Sequence, residues 1–168
     1  MIICKNAQVG GKVSIHDDST FLYTNPLSAM GFWFALEDCT TENGCLSFIP
    51  GSHKTNRINK RLVRVNGGRD GTEIVAIPGV EGSGIDWEAH PGWKTAECRT
   101  GDLVLIHGSV IHRSERNLSE KSRFIYTFHC IEGPEHAEWD DLNWLQTPGK
   151  EFPSLLRTTS KASGTTEA

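Results

Sequence analysis

Two stretches of this chain alternate with a period of two, and that alternation constrains the fold more than any other feature. "MGFWFALED" sets Phe32, Phe34 and Leu36 against Trp33, Ala35 and Glu37. "RFIYTFHCI" sets Phe124, Tyr126 and Phe128 against Ile125, Thr127 and His129. Successive side chains of a strand point to opposite faces, so each stretch reads as a strand between two environments. Shorter pieces repeat the theme. "MIIC" opens the chain, "KVSIH" follows the Gly10-Gly11 turn, "CLSFIPGS" ends at Pro50-Gly51, and a Gly-Asp turn feeds Leu103 to His107. Helical periodicity is nearly absent, apart from a turn expected at "AEWDDLNWLQ". Many short strands with turn signals predict an all-β sandwich or barrel, and a jelly roll manages its edges with two facing sheets.

The 168 residues suffice for one domain with a core and are too few for two. A formal net charge of −4 gives no reason to expect nucleic acid. No apolar run is long enough to cross a bilayer, and the N-terminal apolar run is too short for a signal peptide. The expectation is a cytoplasmic protein with no membrane partner. Five cysteines, an odd number with no C-x-x-C pair, argue for reduced and mostly buried thiols.

The expected organisation is a β domain over residues 1–150 with a long irregular insert at about 54–98, followed by a disordered tail at 151–168. The insert begins with a basic stretch, Lys54 to Arg69, that holds no acidic residue. Such a run is read first as a solvated loop face, and second as a surface for an anionic substrate.

The chemistry concentrates in "SIHDDSTF". In a strand, residues two apart share a face, so His16 and Asp18 point the same way and Asp17 points elsewhere. Two histidines plus one carboxylate, with coordination positions left open, suit non-haem Fe(II) and dioxygen chemistry. The second histidine would come from His53, His90, His107, His112, His129 or His136, and periodicity alone does not choose among them. His112 stands where a hairpin partner of the Leu103 to His107 strand would begin.

The segments "HDDSTFLYTNP", "WFALEDCTTENGCLSFIPGSHK", "GDLVLIHGSVIHRSERNLSEKSRFIYTFH" and "NWLQ" together resemble the phytanoyl-CoA dioxygenase family. That resemblance implies a double-stranded β-helix with a cupin-like core. It implies His16, Asp18 and His112 as ligands of Fe(II), with 2-oxoglutarate and dioxygen as co-substrates. It implies Arg123 as the partner of the far carboxylate of 2-oxoglutarate, because a planar, permanently charged fork matches that group. Ser114 would assist that carboxylate. Trp33 would line the co-substrate pocket, against a reading as simple core packing. Arg113, Arg116 and Lys121 lie near in sequence but not at the family position. His53 would be structural or line the substrate mouth, and Tyr23 and Thr24 would face substrate. The residue between the ligands is often glutamine in the family, and here it is Asp17.

The implied reaction is hydroxylation of a small or acyl-type substrate with release of succinate and carbon dioxide. Relatives that halogenate lack the ligand carboxylate, so Asp18 favours hydroxylation or desaturation. The resemblance also implies a further, largely helical segment ahead of this sequence in relatives, from which a marginal fold or weak activity is expected. Two competing readings are a truncated relative with a metal-binding or regulatory role, and a cupin-like metal protein without 2-oxoglutarate. Arg123 discriminates against the latter, which has no need of a buried arginine.

Overall fold

The computed structural model describes residues 1–147, 149 and 152–155. Its strands are β1 (Ile2–Lys5), β2 (Val13–His16), β3 (Thr24–Asn25), β4 (Met30–Ala35), β5 (Leu46–Phe48), β6 (Lys60–Arg64), β7 (Thr72–Ala76), β8 (Lys94–Ala96), β9 (Leu103–His107), β10 (His112–Ser114), β11 (Arg123–Cys130) and β12 (Glu138–Trp139). A single helical turn, α1 (Ser52–Thr55), and a 3₁₀ turn at Asn66–Gly68 are the helical elements among the described residues. The expected all-β jelly roll with little helix is what forms.

Eight strands make two four-stranded sheets. The large sheet runs β1-β11-β4-β9 and the small sheet β2-β10-β5-β8, every pair antiparallel. The chain passes repeatedly from one sheet to the other, so residues distant in sequence become cross-strand neighbours. Trp33, Ala35, Ile106 and Ile125 from the large sheet pack with Leu46 of the small sheet and with Cys39 and Cys45. Ile125 is completely buried, worth about 1.5–3 kcal/mol in transfer free energy for such a side chain. The inward set of β4 and β11 is therefore Trp33, Ala35, Ile125, Thr127 and His129. The phenylalanines and Tyr126 face outward. Phe32 and Phe128 stack at 5.0 Å between centroids on that outer face, with Phe34 and Tyr126 beside them.

Two sequence expectations change. His112 does not open a hairpin partner of β9, because β10 pairs with β2 and β5 in the other sheet. The chain arches across at 108–111, where Gly108 N donates to Ala29 O at 2.7 Å. A Cβ on Gly108 would stand 2.5 Å from that same oxygen, so the arch needs glycine. "AEWDDLNWLQ" is not helical: Glu138 and Trp139 pair with Asn25 and Thr24. Asn143, whose side chain donates to Tyr23 O at 2.7 Å, is held in the turns that follow.

The segment 54–98 contains structure of its own. β6 and β7 form a hairpin, β8 is a strand of the small sheet, and 77–93 carries no strand. The basic hairpin is tied to the chain's last described turns. Arg61 pairs with Asp140 and lies 5.1 Å from the Tyr23 ring centroid, while Arg64 donates to Asp141 O. Of the expected tail, only 152–155 falls among the described residues, and Phe152 packs edge-on against Trp139. All five cysteines are free, Cys4 exposed and Cys39 and Cys45 buried.

Candidate active site

β2 ends at His16, and His112 opens β10 directly across from it. Ninety-six residues apart in sequence, the two imidazoles lie 4.1 Å apart between centroids. The next registered pair is Val13 with Ser114, so β2 spends three steps where β10 spends two. Such a bulge re-aims a side chain next to a site.

Asp18 lies beyond β2, in the turn that follows. The side chain of Asp17 holds that turn: Oδ1 accepts from Thr20 N at 2.8 Å and Oδ2 from Asn56 Nδ2 at 3.3 Å. Asp17 is thus occupied as a turn cap. The alternation argument selected Asp18, but the turn is what presents it. A second set of bonds fixes the loops that carry the two histidines. Ser19 N donates to Gly108 O, Asn56 Nδ2 donates to Ser109 O, and Ile111 N donates to Ser52 Oγ on α1.

One ligand atom each from His16, Asp18 and His112 lies within 4.8 Å of the others. Asp18 Oδ1 is 3.8 Å from His16 Nε2 and 3.7 Å from His112 Nε2. The Nδ1 of His16 meets Ser14 O at 2.7 Å, and the Nδ1 of His112 meets Val110 O at 3.0 Å. A carbonyl partner requires Nδ1–H, which leaves each Nε2 lone pair free for a cation. Burial pushes His112 below its ordinary pKa despite Asp18, favouring the neutral ring. Burial alone would raise Asp18, but His129, His112 and His16 together hold it below the ordinary carboxylate value. The donor set therefore fits a divalent, oxygen- and nitrogen-loving ion.

Arg123 begins β11 and is 1% exposed. No carboxylate lies within ion-pair distance of it among the described residues, and its Nε has no hydrogen-bond partner. The thiols of Cys39, Cys45 and Cys98 lie near it, and burial lowers its pKa from the ordinary arginine value. The same burial raises Cys39 to about 12, so the thiols offer no counter-charge. The Trp33 ring lies 5.5 Å from the guanidinium carbon. Trp33 is therefore both a core residue and the aromatic neighbour of Arg123. Ser114 is 2% exposed, on the inner end of β10. Arg113, by contrast, stacks on Trp93 at 4.2 Å and pairs with Glu88 and Glu115.

Other sequence candidates fall outside the cluster. Thr24 Oγ1 donates to Pro26 O and is bonded to Ser28, which leaves it no role toward a ligand. The His53 and His107 rings lie tilted to each other with centroids 4.9 Å apart. His129, an unchosen candidate in the sequence, stands 3.2 Å from Asp18 Oδ2 through Nε2. Strand alternation already put His129 on the face of Ile125, but not beside Asp18. A cavity of about 380 Å³ adjoins His16, walled by Phe21, Ile58, Ile74, Ile85 and Trp87.

Comparison with known proteins bears on the same residues. The phytanoyl-CoA dioxygenase (PhyH) family model matches residues 1–125. Phytanoyl-CoA dioxygenase domain-containing protein 1 of Danio rerio is 46% identical over 157 residues, covering 92% of this chain and 51% of the relative. Its homolog in Dictyostelium discoideum is 43% identical over 148 residues, covering 88% of this chain and 50% of the relative. This chain thus spans about half the length of the curated relatives it matches. Among solved structures, the non-heme alpha ketoglutarate dependent carbocyclase SnoK from nogalamycin biosynthesis superposes with a TM-score of 0.56 at 25% identity, over 82% of this chain and 49% of that one. No helix among the described residues is long and apolar enough to cross a membrane. With the family model over residues 1–125 and relatives 43% and 46% identical over 88% and 92% of this chain, the chain belongs to the phytanoyl-CoA dioxygenase family.

Proposed function

We propose that this chain carries an Fe(II)/2-oxoglutarate-dependent dioxygenase site that hydroxylates a small organic substrate. The observation that carries the reading is Arg123, a cation 1% exposed inside the barrel with no acidic partner among the described residues. A buried charge without a counter-charge is costly, and a dicarboxylate co-substrate relieves that cost. The same feature weighs against a cupin that holds only a metal.

His16 and His112 would bind Fe(II) through Nε2 and Asp18 through Oδ1. Bound iron supplies the activation of dioxygen. Arg123 receives the far carboxylate of 2-oxoglutarate in its planar fork. Ser114 adds a hydroxyl donor from the neighbouring sheet, and Trp33 braces the guanidinium while excluding water. Substrate approaches from the cavity beside His16, whose walls mix apolar side chains with Asn56, Arg57, Asn59 and Lys60. In the overall balance, one oxygen atom of dioxygen enters the substrate C–H bond. The other enters succinate, and the carboxyl group next to the keto carbon leaves as carbon dioxide.

The test is anaerobic addition of Fe(II) and 2-oxoglutarate, read as the visible charge-transfer absorption of the chelate. The expected result is colour with the unsubstituted chain and none with Asp18→Ala or His112→Ala. Absence of colour in the unsubstituted chain, or colour that survives both substitutions, overturns the reading.

A further inference from the structure

The two oxygens of Asp18 have different neighbours. Oδ1 faces the Nε2 atoms of His16 and His112 at 3.8 and 3.7 Å. Oδ2 faces His129, whose Nε2 is the closest imidazole nitrogen to the carboxylate at 3.2 Å. The contact is close but not lined up as a hydrogen bond, and Oδ2 is buried with no other partner. A buried acceptor left unsatisfied costs about 1–3 kcal/mol, and more when it is charged.

His129 reaches this oxygen because of its strand position. It is the last inward residue of the Ile125, Thr127, His129 series on β11, and it is registered opposite Gly31 of β4. A Cβ on Gly31 would stand 3.3 Å from both Cδ2 and Nε2 of His129. Glycine at that point leaves the ring room to lie across β4 toward Asp18.

We propose that His129 is a positioning residue for the metal carboxylate. It holds Oδ2 so that Oδ1 alone is presented to the ion. The inference rests on the functional reading above and extends it to a residue outside the ligand set. Carboxylates bind cations through one oxygen or through both. A freely turning Asp18 aims its oxygens away from the ion much of the time, and fixing it on binding costs affinity. Partners that orient a ligand from behind typically change metal affinity by roughly 10–100-fold when removed.

The test uses Co(II) as the metal probe on the full chain, read by its visible absorption and its dissociation constant. His129→Leu should bind Co(II) about 10–100-fold more weakly, with an altered absorption band. His129→Gln, which keeps an N–H donor at the Nε2 position, should restore affinity to within about threefold. Melting of the metal-free variants separates this effect from general destabilisation. Should His129→Leu fail to fold, Gly31→Val crowds the ring without touching Asp18, and weaker Co(II) binding is again expected. Unchanged affinity and spectrum in His129→Leu or in Gly31→Val overturn the positioning role alone. So does a glutamine variant as weak as the leucine one. An unsubstituted chain that takes up no Co(II) overturns the functional reading and the positioning role with it.

Discussion

β2 and β10 of the small sheet carry two imidazoles to the interior, and the turn after β2 adds a carboxylate. β1 and β11 of the large sheet carry two cations, Lys5 and Arg123, side by side in register and 2% and 1% exposed. The first group mixes a carboxylate with imidazoles: Asp18 is ringed by His16 and His112 of the small sheet and by His129 of β11. The large-sheet pair has no such balance. Lys5 satisfies its ammonium on backbone, donating to the carbonyls of Ser114 and Glu115, whereas Arg123 Nε donates to nothing. On the proposed reading, one end of the interior would take a metal ion and the other an anion, with Arg123 as the cation left open to it.

The largest effect that tests this contrast comes from Arg123→Met. Removing one partner of a buried charge pair costs about 2–5 kcal/mol of binding. Affinity for 2-oxoglutarate should therefore fall at least about 30-fold, while Co(II) affinity, set by the small sheet, stays within about twofold. Isothermal titration reads both. The ligand-free variant should also melt no lower than the unsubstituted chain, because an uncompensated buried charge has been replaced by apolar volume. Equal loss of metal and 2-oxoglutarate binding would erase the distinction between the two ends.

A smaller effect concerns the two faces of the large sheet. Leu105 is 59% and Tyr126 41% exposed beside the stacked Phe32 and Phe128. A contiguous apolar face of this kind binds hydrophobic dyes. The double substitution Leu105→Lys and Tyr126→Lys should reduce dye fluorescence markedly. Stability should move by about 0.5 kcal/mol or less per site, and Co(II) binding should not change. Loss of metal binding would show that the outer face supports the site.

The smallest effect is a pH dependence at Lys5. Burial, reinforced by Arg123, lowers Lys5 from 10.5 to about 8. Between those values the unfolded chain holds a proton that the folded chain has released, so raising the pH favours folding. Stability should climb from about pH 8 to about pH 10.5, and Lys5→Met should flatten that climb in denaturant titrations. A climb of the same size in both proteins would remove Lys5 as its source.

Much of this arrangement was readable in the residues. The alternation in "MGFWFALED" and "RFIYTFHCI" set the strands and their two faces, and Gly-Asp and Pro-Gly punctuation set their ends. The H-x-D pair, with the family likeness of "GDLVLIHGSVIHRSERNLSEKSRFIYTFH", named His112 and Arg123, which the structure brings into the same interior. Other features were not readable. Period two says which residues share a face, not which face is buried, and the more aromatic faces of β4 and β11 turned outward. The helical reading of "AEWDDLNWLQ" failed because Trp139 and Asn143 are held by Thr24 and Tyr23, distant partners that no local pattern encodes. Alternation turned Asp17 away from the ligand pair, but not toward a purpose, which its oxygens find in capping the turn.

By itself, then, the sequence determined the strand-and-turn character of the chain and the kinds of ligand and cation it carries, because alternation, turn chemistry and side-chain identity are local properties. Only the tertiary structure decided that His112 lies across from His16, that Arg123 is buried without a counter-charge, and that His129 meets the far oxygen of Asp18. Those are contacts between strands about a hundred residues apart. They exist only once the two sheets have closed on each other and excluded water from between them.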